Sequence, residues 1–201
     1  MDTNLGSSLV RRQATHASRN AREGTTSLPS GVERRRLQVM PDSRGSFTEI
    51  FREEWFDTRV PQWNLLRCEP GSLRGVHVHP RHDDCLTLVS GSLTVGLMDL
   101  RPDSPTSGMS VLLEMEGTRP EALTIPHGVA HGFYAKEPSV VLTGASHYYD
   151  PDDELRILWS DPELGLHWPE DPTILSPADR SAPSLAEAQA ELRRRQDTVG
   201  W

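Results

Sequence analysis

From Gly31 to Tyr149 apolar and polar residues alternate in short runs, each closed by Gly, Pro, Asp or Ser. The runs are RRRLQVM, SFTEIF, QWNLLRCE, SLRGVHVH, CLTLV, SLTVGLMDL, MSVLLEME, ALTIP, GVAHGFYA and SVVLTGASHYY. A period of two is the pattern of a strand with one buried face, shown most clearly by Leu93, Val95 and Leu97. Short strands punctuated by turns such as PDSRG and Ser90-Gly91, with no long helical stripe among them, predict an all-β antiparallel sandwich or barrel. The loop-rich stretch from Asp150 to Ser181 is expected to wrap the outside of that barrel or close one mouth. Helix is expected only at the end, where Ser184-x-x-Glu187 forms a capping box and Leu185, Ala188 and Leu192 make an apolar stripe. Arg193 to Arg195 then read as a solvated helix end that suits the dipole. Residues 1–30 hold Ser, Thr, Asn, Gly and scattered Arg without any aromatic residue, so they are expected to form a disordered tail ahead of a single domain over 31–201.

Composition narrows the function classes. A length of 201 residues fits one domain, and a formal charge of −8 argues against a nucleic-acid-binding face, which needs cations to neutralise phosphate. It leaves room for a nucleotide held in a pocket. No apolar run approaches the ~20 residues of a membrane span, and the N-terminus lacks the apolar core of a signal peptide. The 2 cysteines, Cys68 and Cys85, read as reduced, small apolar residues. A cytoplasmic protein without nucleic-acid or membrane partners is expected.

The candidate chemistry lies between Gly75 and Gly91. On a strand His77 and His79 project to the same face. With Asp84 and Gly91 they give the spacing H-x-H-x4-D-x6-G, answered by Pro126-x-Gly128-x-x-His131. These two parts resemble the signature of the cupins, which implies a double-stranded β-helix, or jelly-roll, barrel; here it carries a short C-terminal helix.

Over residues 32–185 the chain further resembles the dTDP-4-dehydrorhamnose 3,5-epimerase family, cupin enzymes acting on dTDP-4-keto-6-deoxyhexoses. The matching pieces are DSRGSFTEIF, QWN, SLRGVH, LVSGSLTVGLMDLRPDSPTSG, IPHGVAHGF, ASHYYDPDDE, WSDPELGLHWP and LSPADRSAPSL. The resemblance implies that His77 is the base that removes the proton beside the ketone, that Asp179 pairs with it, and that Arg74 and His131 stabilise the enolate. Arg44, Glu49, Gln62, Asn64 and Tyr149 match positions that hold the nucleotide diphosphate, some of them reaching into the neighbouring subunit of a homodimer. The resemblance implies no cofactor.

The chain departs from the family pattern at four positions and in a shortened loop after His77; one of the four is His79, where the family has a glutamine. Thr143 occupies the place of the family's tyrosine proton donor, among the substrate-contacting positions. A threonine hydroxyl is far less acidic than a phenol. Asp84 stands where the family has a lysine, and Val95 where it has the accompanying aspartate. The implied function is a nucleotide-sugar epimerase or isomerase, acting at one centre only, C3 or C5. The alternative is a metal-dependent cyclase, isomerase or oxygenase on the same scaffold. His77, His79, Asp84 and His131 would then hold Fe, Mn, Ni or Zn, with Asp179 orienting His77. A ligand-binding cupin without turnover is a third class. His82 and Asp83 are read as loop residues exposed to water. His16, His127, His147 and His167 read as ordinary polar residues, and Tyr148 could replace the missing donor only on a bulged strand.

Overall fold

The computed structural model describes residues 27–55 and 59–199. Its strands are β1 (Glu33–Arg36), β2 (Val39–Asp42), β3 (Gly45–Thr48), β4 (Gln62–Cys68), β5 (Leu73–Val78), β6 (Asp84–Ser90), β7 (Ser92–Asp99), β8 (Ser110–Glu116), β9 (Glu121–Ile125), β10 (Val129–Ala135), β11 (Ser139–Ala145) and β12 (Leu155–Arg156). Two helices follow, α1 (Pro177–Arg180) and α2 (Leu185–Val199). One five-stranded sheet has the order β1-β9-β6-β11-β4 and the other β12-β5-β10-β7-β8, and among the described residues β2 and β3 pair with each other alone. Every ladder in the three sheets is antiparallel.

The inner faces of the two five-stranded sheets meet in a core that includes Leu86, Leu88, Leu93, Val95, Leu97, Met115, Leu123, Ile125, Phe133 and Val141. The inward set Leu93, Val95 and Leu97 is the one the alternation marks. Yet all of β7 is buried, because the second sheet is covered on its other face too. There Val76, Val78, Met98 and Ala130 pack under Leu155, Ile157, Leu164, Leu166 and the α2 residues Leu185, Ala188 and Leu192. The segment 150–181 therefore wraps the outside of the barrel, the first of the two expected placements. Gly96 makes room for it, since a Cβ there would lie 2.8 Å from the Trp168 ring. The capping box forms as expected: the Ser184 N–H donates to the Glu187 carboxylate at 2.9 Å and the Glu187 N–H donates to Ser184 Oγ at 3.3 Å.

Several expectations need correction. RRRLQVM is two strands, because Leu37 turns inward and its N–H donates to the Pro120 carbonyl, so β1 joins β9 while β2 turns back on β3. Helix is not confined to the end of the chain: Ser176 caps the one-turn α1, and its hydroxyl accepts from the Asp179 N–H. Most of the expected N-terminal tail lies outside the described residues, but its last part is packed. Leu28 lies against the core, Pro29 is buried, and the Ser30 carbonyl accepts from Arg101 at 2.5 Å.

Candidate active site

The polar residues of the two sheets gather at one end of the barrel interior. In the first sheet Asp84, Gln62, Asn64 and Thr143 have the same strand parity as the core residues Leu86, Leu66 and Val141 on their own strands. Asp84 pairs with Ala145 and with Ile125, and Thr143 pairs with Asn64 on one side and Leu86 on the other. In the second sheet His131 shares parity with Phe133 and pairs with His77. On β5 a bulge changes the parity. His131 opposes His77 and Phe133 opposes Arg74, so two steps on β10 match three on β5. That extra residue returns Arg74 to the same face as His77, which the spacing of the two in sequence would forbid on a regular strand.

His77 and Asp179 meet as implied. The ring Nε2 lies 2.7 Å from Asp179 Oδ1, and the His77 side chain keeps 22% of its surface accessible. Burial raises the Asp179 pKa, but the hydrogen bond from His77, its charge and the Ser176 hydrogen bond outweigh that, and the carboxyl is held below the ordinary 3.8. As a carboxylate it can only accept, so His77 Nε2 carries a hydrogen and Nδ1 is the nitrogen left to exchange a proton. Glu154 Oε2 stands 3.8 Å from that Nδ1. Sequence reasoning assigned Glu154 no role. The only available signal was its place inside the matching piece ASHYYDPDDE, in a loop whose path the alternation does not define.

The four-residue metal set does not come together. His77 faces Asp179 and Glu154, whereas His79 and His131 turn their Nε2 atoms to Asp84 Oδ2, each at 3.4 Å. His82 joins them instead. Its side chain is 13% accessible, with Nε2 3.7 Å from Asp84 Oδ1 and Nδ1 2.7 Å from Asp153 Oδ2, so it is not a loop residue exposed to water. Asp83 is also engaged: it accepts from the His127 backbone N–H at 2.9 Å and lies 2.8 Å from the His127 ring. Burial pushes the His79 pKa down to about 3, beyond what the Asp84 charge restores. Burial lowers the His82 pKa too, but the Asp153 hydrogen bond and the Asp84 carboxylate beside the ring prevail and hold it at about 9.

The nucleotide set is only partly assembled within one chain. Gln62 Oε1 accepts from the Tyr149 N–H at 2.8 Å, and Gln62 Nε2 donates to Asn64 Oδ1 at 3.2 Å, so these three form a contiguous polar rim. The Tyr149 ring itself stays exposed. Tyr148 lies beyond the end of β11 and is exposed, so no bulge of that strand turns it inward. Arg44 and Glu49 belong to the β2–β3 hairpin and its exit. Arg44 pairs with Asp42 and Glu49 with Arg52, and the Arg44 side chain is 88% accessible.

Comparison with known proteins gives this geometry its context. Residues 26–187 match the family model for dTDP-4-dehydrorhamnose 3,5-epimerase. The chain belongs to that family. A dTDP-4-dehydrorhamnose 3,5-epimerase of Neisseria gonorrhoeae is 32% identical over 178 residues, 84% of this chain but 54% of the relative, so the chain spans about half the length of that protein. A dTDP-6-deoxy-D-glucose-3,5-epimerase from Legionella pneumophila, solved with dTDP-4-keto-L-rhamnose, superposes with a TM-score of 0.75 at 30% identity, covering 80% of this chain and 91% of the other. A 3'-monoepimerase from Streptomyces bikiniensis, solved with dTDP-quinovose, gives 0.74 at 27%, covering 85% and 96%. The likeness fixes the fold as the cupin-type jelly roll and favours the epimerase scaffold over a different, metal-dependent class of enzyme.

Proposed function

We propose that this family member is a nucleotide-sugar epimerase that acts on a dTDP-4-keto-6-deoxyhexose at one carbon, C3 or C5. The observation that carries the reading is the 2.7 Å bond between His77 and Asp179, at the polar end of the barrel. The carboxylate fixes the ring tautomer and leaves the second nitrogen to take the proton from the carbon beside the ketone. The electron pair moves to the ketone oxygen, where Arg74 supplies positive charge on the same face, while His131, its Nδ1 hydrogen held by the Val129 carbonyl, lines the site without donating. A proton from water returned to the opposite side of that carbon gives the epimer, and His77 passes the proton it took to solvent, with no net redox change and no cofactor.

The restriction to one centre rests on Thr143. It sits on the sheet that faces His77 across the interior, where a donor for the opposite face of the sugar belongs, and its hydroxyl is a weak acid. The polar rim of Gln62, Asn64 and Tyr149 supports a nucleotide-diphosphate site at the mouth. A homodimer would complete it with Arg44 and Glu49 from the neighbouring hairpin. In support, Phe47 on that hairpin is 61% exposed with Val39 and Met40 beside it, an apolar surface that a partner would cover. The unpaired, buried Cys68 and Cys85 fit a reducing, cytoplasmic setting.

Incubation with dTDP-4-keto-6-deoxyglucose in deuterated water tests the reading. Deuterium is expected at one of the two carbons flanking the ketone, and His77→Ala should slow its entry roughly 100-fold or more. Deuterium at both carbons would refute the single-centre restriction. Its absence from both would refute the epimerase assignment.

A further inference from the structure

The side chains around Asp84 are arranged for something the epimerase reaction does not use. Asp84 Oδ2 is buried without a hydrogen-bond partner. Three imidazoles nevertheless surround the carboxylate, with the Nε2 atoms of His79 and His131 at 3.4 Å from Oδ2 and that of His82 at 3.7 Å from Oδ1. These separations are beyond the ~2.7–3.2 Å of a good nitrogen–oxygen hydrogen bond.

The other nitrogen of each ring is already committed. His79 Nδ1 lies 3.0 Å from the Asp153 carbonyl, His131 Nδ1 lies 3.1 Å from the Val129 carbonyl, and His82 Nδ1 lies 2.7 Å from the Asp153 carboxylate. Carbonyl and carboxylate oxygens only accept, so the Nδ1 atoms carry hydrogen; Nε2 of His79 and of His131 is free to offer a lone pair, and Nε2 of His82 would release its proton to an incoming ion. Oriented imidazoles of this kind, each held from behind by an oxygen, are how proteins prepare histidines to ligate. The spacing agrees as well. Ligand atoms about 2.0–2.1 Å from a tetrahedral ion lie about 3.3–3.4 Å from one another, which is the observed nitrogen–oxygen separation for His79. The ligand atoms of His79, His82 and Asp84 all fall within 4.8 Å of one another.

We infer that Nε2 of His79, Nε2 of His82 and the Asp84 carboxylate bind a divalent first-row transition ion, with His131 bordering its open side. Two imidazoles and one carboxylate suit Zn(II), Fe(II) or Co(II), and they leave positions for water or substrate. The set differs from the four residues that strand spacing alone suggests: His82 enters from the β5–β6 loop, and His77 stays with Asp179. An ion there would put positive charge at the end of the barrel where the family resemblance places a lysine and this chain has Asp84. The inference is independent of the epimerase reading, because metal loading reports on the Asp84 cluster and deuterium exchange reports on His77.

The test is metal titration of the full chain after removal of metals with a chelator. Co(II) is expected to bind at one equivalent with intense visible d–d absorption of a low-coordinate nitrogen and oxygen site. Zn(II) should displace it and raise the melting temperature of the wild type, an effect reversed by chelator. His82→Ala and Asp84→Ala, shown to be folded by circular dichroism, should lose the absorption and at least nine tenths of the bound metal, while His167→Ala on the exposed surface retains both. Should either variant fail to fold, the wild-type spectrum and stoichiometry decide the matter. Less than about one tenth of an equivalent bound by the wild type, or one equivalent held equally by all variants, overturns the inference.

Discussion

At the scale of single residues, the proposed chemistry rests on His77 and the group that orients it. Asp179→Asn keeps the shape of the side chain but cannot accept a charge-assisted bond from His77 Nε2, so it releases the tautomer. Deuterium entry should fall by roughly 10- to 100-fold while KM changes little, because Asp179 acts through His77 rather than on the sugar. Steady-state kinetics of the variant check this, and a loss confined to KM would contradict it. Thr143→Tyr makes the converse prediction. A phenol placed on the sheet opposite His77 supplies the acid that the hydroxyl lacks, so the second carbon should begin to take up deuterium; mass spectrometry of the recovered sugar reads the outcome. His77 and Asp179 are legible in the sequence because they lie in contiguous matching pieces. His82 and Glu154 are not. Each stands in a loop whose neighbours, Asp84 and Asp153 for one and His77 for the other, are set by where two distant segments cross.

At the scale of elements, the stripe on α2 and the loop after β7 carry separable parts of the stability. Leu192 is 2% exposed and packs over the outer face of the second sheet. Leu192→Ala should cost about 2–5 kcal/mol in urea unfolding, the range for cavities left by a buried leucine. The loop RPDSPTSG is organised by Asp99, whose 0% exposed carboxylate accepts from Arg101, Ser104 and Thr106. Burial raises its pKa, but those bonds overcome the penalty and hold the carboxyl well below the ordinary 3.8. A depressed folded-state pKa stabilises the fold above the unfolded value and ceases to do so as pH falls through the folded one. Asp99→Ala should therefore destabilise by about 3 kcal/mol at neutral pH. The gap to wild type should narrow only below pH 3.8, as denaturant titrations at several pH values would show. The strands themselves were readable from alternation and turn residues. Their limits were less so: the β1–β2 break at Leu37 and the one-turn α1 depend on partners remote in sequence, which a local pattern does not contain.

At the scale of the whole molecule, the exposed apolar hairpin predicts a dimer. Sedimentation should give twice the chain mass of 22.4 kDa, and Phe47→Asp should shift the balance toward monomer and weaken dTDP binding together. If binding persists in a monomer, Arg44 and Glu49 are not shared between subunits. The jelly-roll class, the inward face of the regular strands and the capping box were determined by the sequence, because each is encoded by residues adjacent in the chain or by a motif with fixed spacing, and the pairing of His77 with Asp179 was implied by the family resemblance. The tertiary structure decided the remainder. It brought Arg74 to the face of His77 through a bulge in β5, moved His77 away from the Asp84 cluster, and put His82 in its place. The physical reason is the same throughout: a strand's period assigns a side chain to a face, but only the pairing of strands and the folding back of loops sets which side chains on that face come within reach of one another.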